Sequence, residues 1–282
     1  NYRPIAVTSA IYRTFARIIG SRLEEQVEEH TILGEMQNGF RKERRLEDNI
    51  YILTQILDIK RKQKGRMHLA FLDIRKAYDS VLHDPLWHLL RRYGIREETI
   101  NIIQAIYSGA TASAKWKGKV TGPVEIRKGL RQGCPMSPML FNLYIAEVDE
   151  RLMKANMGVK LSYWEKGLQH MVTIPGLLYA DDLVLLSEEK KELQEMLDLC
   201  GKFAEERGLR FNTSKSAILS LGEQEGGPDF TIQGSTIPHQ ESYAYLGVDI
   251  VAAQHGFQNY EQKLRGKAQR AIGYLNRVAQ WS

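Results

Sequence analysis

The chain has 282 residues, 43% of them hydrophobic and 26% charged, which supplies material for one large core or two modest ones and excludes a disordered or fibrous class. A net charge of +5 and a pI near 9.0 fit a polyanionic partner without requiring one. Cys134 and Cys200 form neither a disulfide framework nor a zinc site, no GxxxxGK[ST] phosphate loop occurs, no secretory signal is visible, and no apolar run reaches the ~18 residues of a membrane span.

In chain order, Ile11, Phe15, Ile18, Ile19, Leu23 and Val27 recur at helical spacing and predict a helix over 9–29. Leu46, Ile50, Leu53, Ile56 and Leu57 predict a second over 45–64, with Gly65 placed to end it. Basic residues crowd 41–66. A strand-like run, Met67 to Leu72, ends in Asp73, and helices are predicted near 83–93 and 97–108. A hairpin follows over 112–127, turning at Gly118, and then a long helix from Pro135 to about Asn156. Two apolar runs flank Tyr179–Asp182 within 174–187 and predict a hairpin with the acids at its tip. A helix over 188–207 is closed by Gly208, and a strand lies near 216–221. Residues 222–229 form a loop, short strands lie near 230–238 and 243–250, and 257–279 reads as a basic helix. The order β-α-ββ-α-β is that of a split βαβ, ferredoxin-like antiparallel sheet, with helices on one face and the other face left for substrate.

Asp73, Asp181 and Asp182 sit at the ends of apolar strands. Charge is costly in such surroundings unless a cation meets it. An Asp-rich turn is the plain reading of Asp181–Asp182 taken alone. Carboxylates from separate strands, with no His or Cys cluster, suit Mg²⁺ (or Mn²⁺), and two ions about 3.5–4 Å apart clamp the attacking and leaving oxygens of a phosphoryl displacement.

The residues around these acids carry a resemblance. Phe71-Leu72-Asp73-Ile74-Arg75-Lys76-Ala77-Tyr78-Asp79, Gly129-Leu130-Arg131-Gln132-Gly133-Cys134-Pro135-Met136-Ser137-Pro138, Tyr179-Ala180-Asp181-Asp182, Gly208-Leu209-Arg210-Phe211-Asn212-Thr213-Ser214-Lys215 and Tyr245-Leu246-Gly247-Val248 resemble the successive catalytic motifs of reverse transcriptases. Upstream, Tyr2-Arg3-Pro4-Ile5 and Gln37-Asn38-Gly39-Phe40-Arg41 resemble motifs of the fingers. The style is that of non-LTR (LINE-type) retrotransposons, related to group II intron enzymes.

The resemblance implies an α+β polymerase right-hand fold: fingers over 1–66, a ferredoxin-like palm with finger insertions over 67–250, and the start of a helical thumb over 251–282. It implies an RNA-directed DNA polymerase that extends the 3′-hydroxyl of a DNA or RNA primer with dNTPs on an RNA template. Asp73, Asp181 and the backbone carbonyl of Ile74 would hold two Mg²⁺ ions, with Asp182 binding one ion or supporting the site electrostatically. Lys215 would protonate the departing pyrophosphate. Arg3 would grip the triphosphate, Tyr78 would exclude a 2′-hydroxyl, and Gln132 and Gly133 would line the nucleotide pocket. Arg41 would contact template or primer, and Tyr245, Leu246 and Gly247 would grip the primer strand. Asp79 reads instead as a helix-start or ion-pairing residue.

Two alternatives stand beside this: another template-directed polymerase, against which an aromatic at Tyr78 argues, and an inactive domesticated nucleic-acid-binding domain, which would ordinarily have lost one of the three acids. The chain begins at Asn1 without Met and ends inside the last predicted helix, so it reads as a piece of a longer protein. No residue pattern assigns a compartment.

Overall fold

A computed structural model describes residues 6–166, 168–222 and 229–251. Arg3 and the basic stretch 257–279 lie outside the described residues. The chain opens with helices α1 (Ala10–Glu29) and α2 (Leu46–Lys62), as the apolar spacing predicts. Ser9 caps α1 by accepting a hydrogen bond from the Tyr12 amide at 3.2 Å, and Asp48 in the first turn of α2 accepts from the Arg45 amide at 2.7 Å. The left-handed residue after α2 is Lys64 (φ 51°), not Gly65.

Strand β1 (Met67–Asp73) is followed by the short α3 (Ala77–Ser80), then α4 (His83–Arg92) and α5 (Glu97–Tyr107). A narrow ribbon comes next: β2 (Thr111–Ala112), β3 (Lys115–Trp116), β4 (Lys119–Val120) and β5 (Val124–Glu125), turning at Gly118. Where one long helix was predicted there are two, α6 (Ser137–Ile145) and α7 (Glu147–Ala155). Ala146 between them keeps helical angles (φ −54°, ψ −33°), but the Asp149 amide bonds to its carbonyl, a tighter 3₁₀-type step that interrupts the ladder. Asn156, left-handed at φ 52°, ends α7.

The sequence reading missed a hairpin, β6 (Val159–Glu165) with β7 (Leu168–Ile174). The acid-tipped hairpin is β8 (Gly176–Tyr179) and β9 (Asp182–Ser187), followed by α8 (Lys190–Glu206) and β10 (Ala217–Leu221). Two small hairpins complete the described chain: β11 (Thr231–Ile232) with β12 (Ser235–Thr236), and β13 (Ser242–Tyr245) with β14 (Val248–Val251).

The central sheet has the order β10-β1-β9-β8 and every pairing is antiparallel. This is the strand arrangement a split βαβ plan requires. The expected open face is absent. One face packs Ala70, Leu72, Leu183, Leu185 and Ile218 against α1 and α4–α8. The other packs Leu69, Phe71, Val184 and Leu219 against Leu53, Ile56 and Leu57 of α2 and against Tyr245, Val248 and Ile250. Strands buried on both faces read as near-continuous apolar runs rather than alternating ones, and Leu69–Leu72 is such a run. Phe71 is fully buried and stacks on Tyr243 at 4.5 Å, so truncating it to alanine should cost about 3–5 kcal/mol. No helix among the described residues is long and apolar enough to cross a membrane.

Candidate active site

The register of the sheet builds the site. Asp73 is the last residue of β1 and pairs directly with Asp182, the first of β9. Residues opposed across an antiparallel ladder project to the same face, so these two carboxylates stand side by side. Asp181 occupies the turn of the β8–β9 hairpin. Its charge, after burial, helps push the Tyr78 hydroxyl up, whereas Asp182 and Asp73 act on Tyr243, which burial first and those charges next raise to about 12. Register thus sets Asp182 opposite Asp73, while Asp181 stands next to it in the turn.

The turn itself is under strain. Tyr179 pairs with Asp182, leaving Ala180 and Asp181 as a two-residue loop, and Ala180 adopts φ 55°, where glycine is the usual occupant. Gln37 holds it there. The buried Gln37 side chain accepts from the Ala180 amide at 2.9 Å and donates to the Ala180 carbonyl at 3.4 Å, while the same oxygen accepts from the Gly39 amide at 2.8 Å. A Cβ on Gly39 would lie 2.3 Å from the Ala180 nitrogen, so only glycine fits. Residues 36–38 run alongside β8: Leu178 donates to the Met36 carbonyl (2.8 Å) and accepts from the Asn38 amide (2.9 Å).

A loop from α8 to β10 closes the other side of Asp73. The Asn212 side-chain amide donates to Asp73 Oδ2 at 3.2 Å, and its backbone amide donates to the Asp73 carbonyl at 2.8 Å. Ser216 Oγ accepts from the Asp73 amide at 3.2 Å. Lys215 Nζ lies 3.8 Å from Asp73 Oδ2, half exposed, and its carbonyl accepts from the Tyr243 hydroxyl at 2.9 Å. Ile74, beside Asp73, is buried and bridges Phe211.

Tyr78 stacks on Phe141 at 5.2 Å and 11°. Asp79 lies in the first turn of α3, as expected of a helix-start acid, and accepts from Gln132 Nε2 at 3.1 Å. Gly133 has φ 100°. Leu130 donates to the Tyr78 carbonyl at 2.8 Å, which ties this loop to the aromatic.

Arg41 is turned inward. Its side chain is 6% exposed, forks onto both oxygens of Glu28 (3.0 and 2.9 Å) and donates to the carbonyls of Gly34 and Gln37. Tyr245 is also buried, with its hydroxyl accepting from Asn49 at 3.1 Å. Leu246 (φ 48°) and Gly247 (φ 82°) form the tight turn between β13 and β14. Gln37, Asn49, Asn212, Ser216 and Tyr243 were not predicted as site residues. Gln37 and Asn212 lie inside quoted motifs, but what they hold depends on pairings far along the chain.

Asp73 and Asp182 thus stand together at one end of an antiparallel sheet, with Asp181 in the adjoining turn and Lys215 beside Asp73. The model of the family "Reverse transcriptase (RNA-dependent DNA polymerase)" matches residues 1–250, and the chain belongs to that family. It is similar to the retrovirus-related Pol polyprotein from type-1 retrotransposable element R2 of Popillia japonica, 32% identical over 259 residues, covering 88% of this chain and 35% of that protein. The Drosophila melanogaster type-2 element R2DM polyprotein is 28% identical, covering 96% and 25%, and the RNA-directed DNA polymerase from mobile element jockey of the same species is 23% identical, covering 96% and 29%. The relatives are non-LTR retrotransposon proteins, and the chain spans about a third or less of their length. Among solved structures, apo telomerase from Candida tropicalis, truncated from its C-terminal domain, shares the fold with a TM-score of 0.53 at 15% identity, covering 86% of this chain and 44% of that one.

Proposed function

We propose that the chain is the polymerising core of a LINE-type reverse transcriptase that extends a DNA or RNA primer with dNTPs on an RNA template. The cross-strand pairing of Asp73 with Asp182 at the end of a buried sheet carries this reading. Among the described residues no three His, Cys, Asp or Glu side chains converge into a metal cage. Mg²⁺ does not need one, since it is usually held by one or two carboxylates together with substrate phosphates. The hard oxygens of Asp73, Asp181, Asp182 and the Ile74 carbonyl fit that ion, or Mn²⁺. Two such ions, when bound, would lower the pKa of the primer hydroxyl and hold the triphosphate.

The residues of the chain do the positioning. Asn212 and Ser216 fix the Asp73 carboxylate and backbone, while Gln37 fixes the turn that carries Asp181. Tyr78, braced by Phe141, would stand under the sugar and leave no polar space for a 2′-hydroxyl. Gln132, oriented by Asp79, would contact the sugar or base edge. Lys215 would give its proton to the departing pyrophosphate from beside Asp73, and Arg3 would fork onto the triphosphate. Arg41 serves as an internal brace of the 34–41 segment, and the Tyr245–Gly247 turn would meet the primer. In this reading residues 1–66 are fingers, 67–250 a ferredoxin-like palm with finger insertions, and 251–282 the start of a thumb.

Primer extension on poly(rA) with dTTP and Mg²⁺ tests the reading and separates it from an inactive nucleic-acid-binding domain. Asp73→Asn should abolish incorporation while the fold and template binding persist. Incorporation within tenfold of the unaltered protein would overturn the assignment of Asp73.

A further inference from the structure

The β2–β5 ribbon plays no part in the core. Every residue from 111 to 125 is exposed, and a lone two-stranded ribbon has only marginal stability in water. Its sequence is nonetheless strongly biased. Residues 111–128 hold Lys115, Lys117, Lys119, Arg127 and Lys128 against Glu125 alone, so this short segment carries most of the chain's net charge of +5.

The geometry gives that charge a companion. Trp116 is 67% exposed and pairs directly with Lys119 across the ribbon. Opposed residues share a face with Cβ atoms about 4.5–5.5 Å apart, so an indole and an ammonium stand together. Lys117 (φ 46°) and Gly118 (φ 81°) form the two-residue turn that brings β3 back against β4.

The base of the ribbon is wired to the nucleotide pocket. Ile126 donates to the Ala110 carbonyl at 2.8 Å, Lys128 bridges Leu82, Gly129 donates to Val81 at 2.7 Å, and Leu130 donates to Tyr78. The arm therefore springs from the same loop that carries Gln132. An aromatic face beside several cations is the combination that binds single strands without reading sequence: bases stack and phosphates pair.

We propose that this ribbon is a single-strand-binding arm that takes the nucleic-acid template outside the polymerising site, Trp116 stacking on a base while Lys115, Lys117 and Lys119 hold phosphates. Its place on the template rests on the polymerase reading above; its affinity for single strands does not.

Fluorescence anisotropy separates the two. The probes are a labelled twelve-nucleotide oligo(rU) and a blunt RNA–DNA duplex. Trp116→Ala should weaken oligo(rU) binding roughly 5- to 100-fold, the range expected for losing one base–aromatic stack, with duplex affinity within about twofold. Trp116→Phe should restore most of the loss. Replacing Lys115, Lys117 and Lys119 together with Gln should flatten the log–log salt dependence by about 2, given roughly 0.7 per single-strand phosphate contact. Unchanged oligo(rU) affinity in both variants would overturn the arm. So would equal losses on oligo(rU) and blunt duplex, which would reduce the ribbon to a general electrostatic surface.

A second arm measures primer extension on templates with long and one-nucleotide overhangs. The variants should raise KM only where the overhang is long. Equal KM changes on both would remove the template assignment. If the unaltered protein extends neither, the polymerase reading fails and anisotropy alone still decides the arm.

Discussion

Replacing Gln37 tests whether the acid-bearing turn is held from outside. The Gln37 side chain satisfies the Ala180 and Gly39 amides and the Ala180 carbonyl in a buried setting. Gln37→Ala leaves two buried amides unmet, at about 1–3 kcal/mol each. It also removes the bonds that keep Ala180 at φ 55°, a conformation that costs an L-residue about 1–2 kcal/mol. A loss of roughly 3 kcal/mol corresponds to a fall in Tm of about 6–12 °C for a domain near this size. Activity should fall further than stability. A relaxed turn moves Asp181, and misplacement by about 1 Å can cost about 10²-fold in rate. Single-turnover incorporation measured well below Tm, over a Mg²⁺ titration, should show both a lower rate constant and a higher half-saturating Mg²⁺ concentration. Ala180→Gly relieves the backbone strain and should restore part of both in the Gln37→Ala background. Incorporation within twofold of the unaltered protein at the same Mg²⁺ dependence would refute the clamp.

Two further outcomes are expected. Tyr78→Val should raise the rNTP/dNTP ratio of kcat/KM by roughly 10- to 100-fold, equivalent to about 1–3 kcal/mol of lost discrimination, read by paired steady-state assays. Arg41→Ala should destabilise by roughly 2–4 kcal/mol in denaturant titrations, because a buried guanidinium with a carboxylate and two carbonyls is removed. The hydrogen bond from Arg41, more than any other cause, holds the Glu28 carboxyl below its usual range. That part of the stability is present above the unfolded value near pH 4.3 and is lost as pH falls through the lower folded value, so the gap between the two proteins should narrow in acid. A change in the salt dependence of template binding with stability intact would instead return Arg41 to the surface.

Much of the architecture was legible because it rests on periodicity. The helical stripes of α1 and α2 and the apolar runs ending in Asp73 and flanking Asp181–Asp182 carry their structure locally. The hairpin of β6 and β7 was missed although Val159, Leu161 and Tyr163 alternate, a period-two pattern. The buried second face of the sheet is also written in the apolar run Leu69–Leu72 of β1, which has no polar residue to mark a face open to substrate. The identities of the acids were visible; their pairing was not, because register decides that Asp182 faces Asp73. Gln37 and Asn212 act on residues 143 and 139 positions away. Nothing local distinguishes a glutamine that clamps a turn from one in solvent. Arg41 shows the same limit: its charge is in the sequence, its inward direction is not.

The strand order has a consequence for how the chain is made. β1 ends at Asp73, yet its two sheet neighbours are β9, at 182–187, and β10, at 217–221. At about 5–20 residues per second, synthesis would leave both edges of this apolar strand bare for roughly 6–23 s, until β9 is made, and one edge for roughly 7–30 s, until β10 is. An unpaired apolar strand is an invitation to wrong partners. The acidic centre is thus assembled only once β9 has been made, more than a hundred residues after β1, and a chain halted before Leu221 would leave the other edge of β1 open.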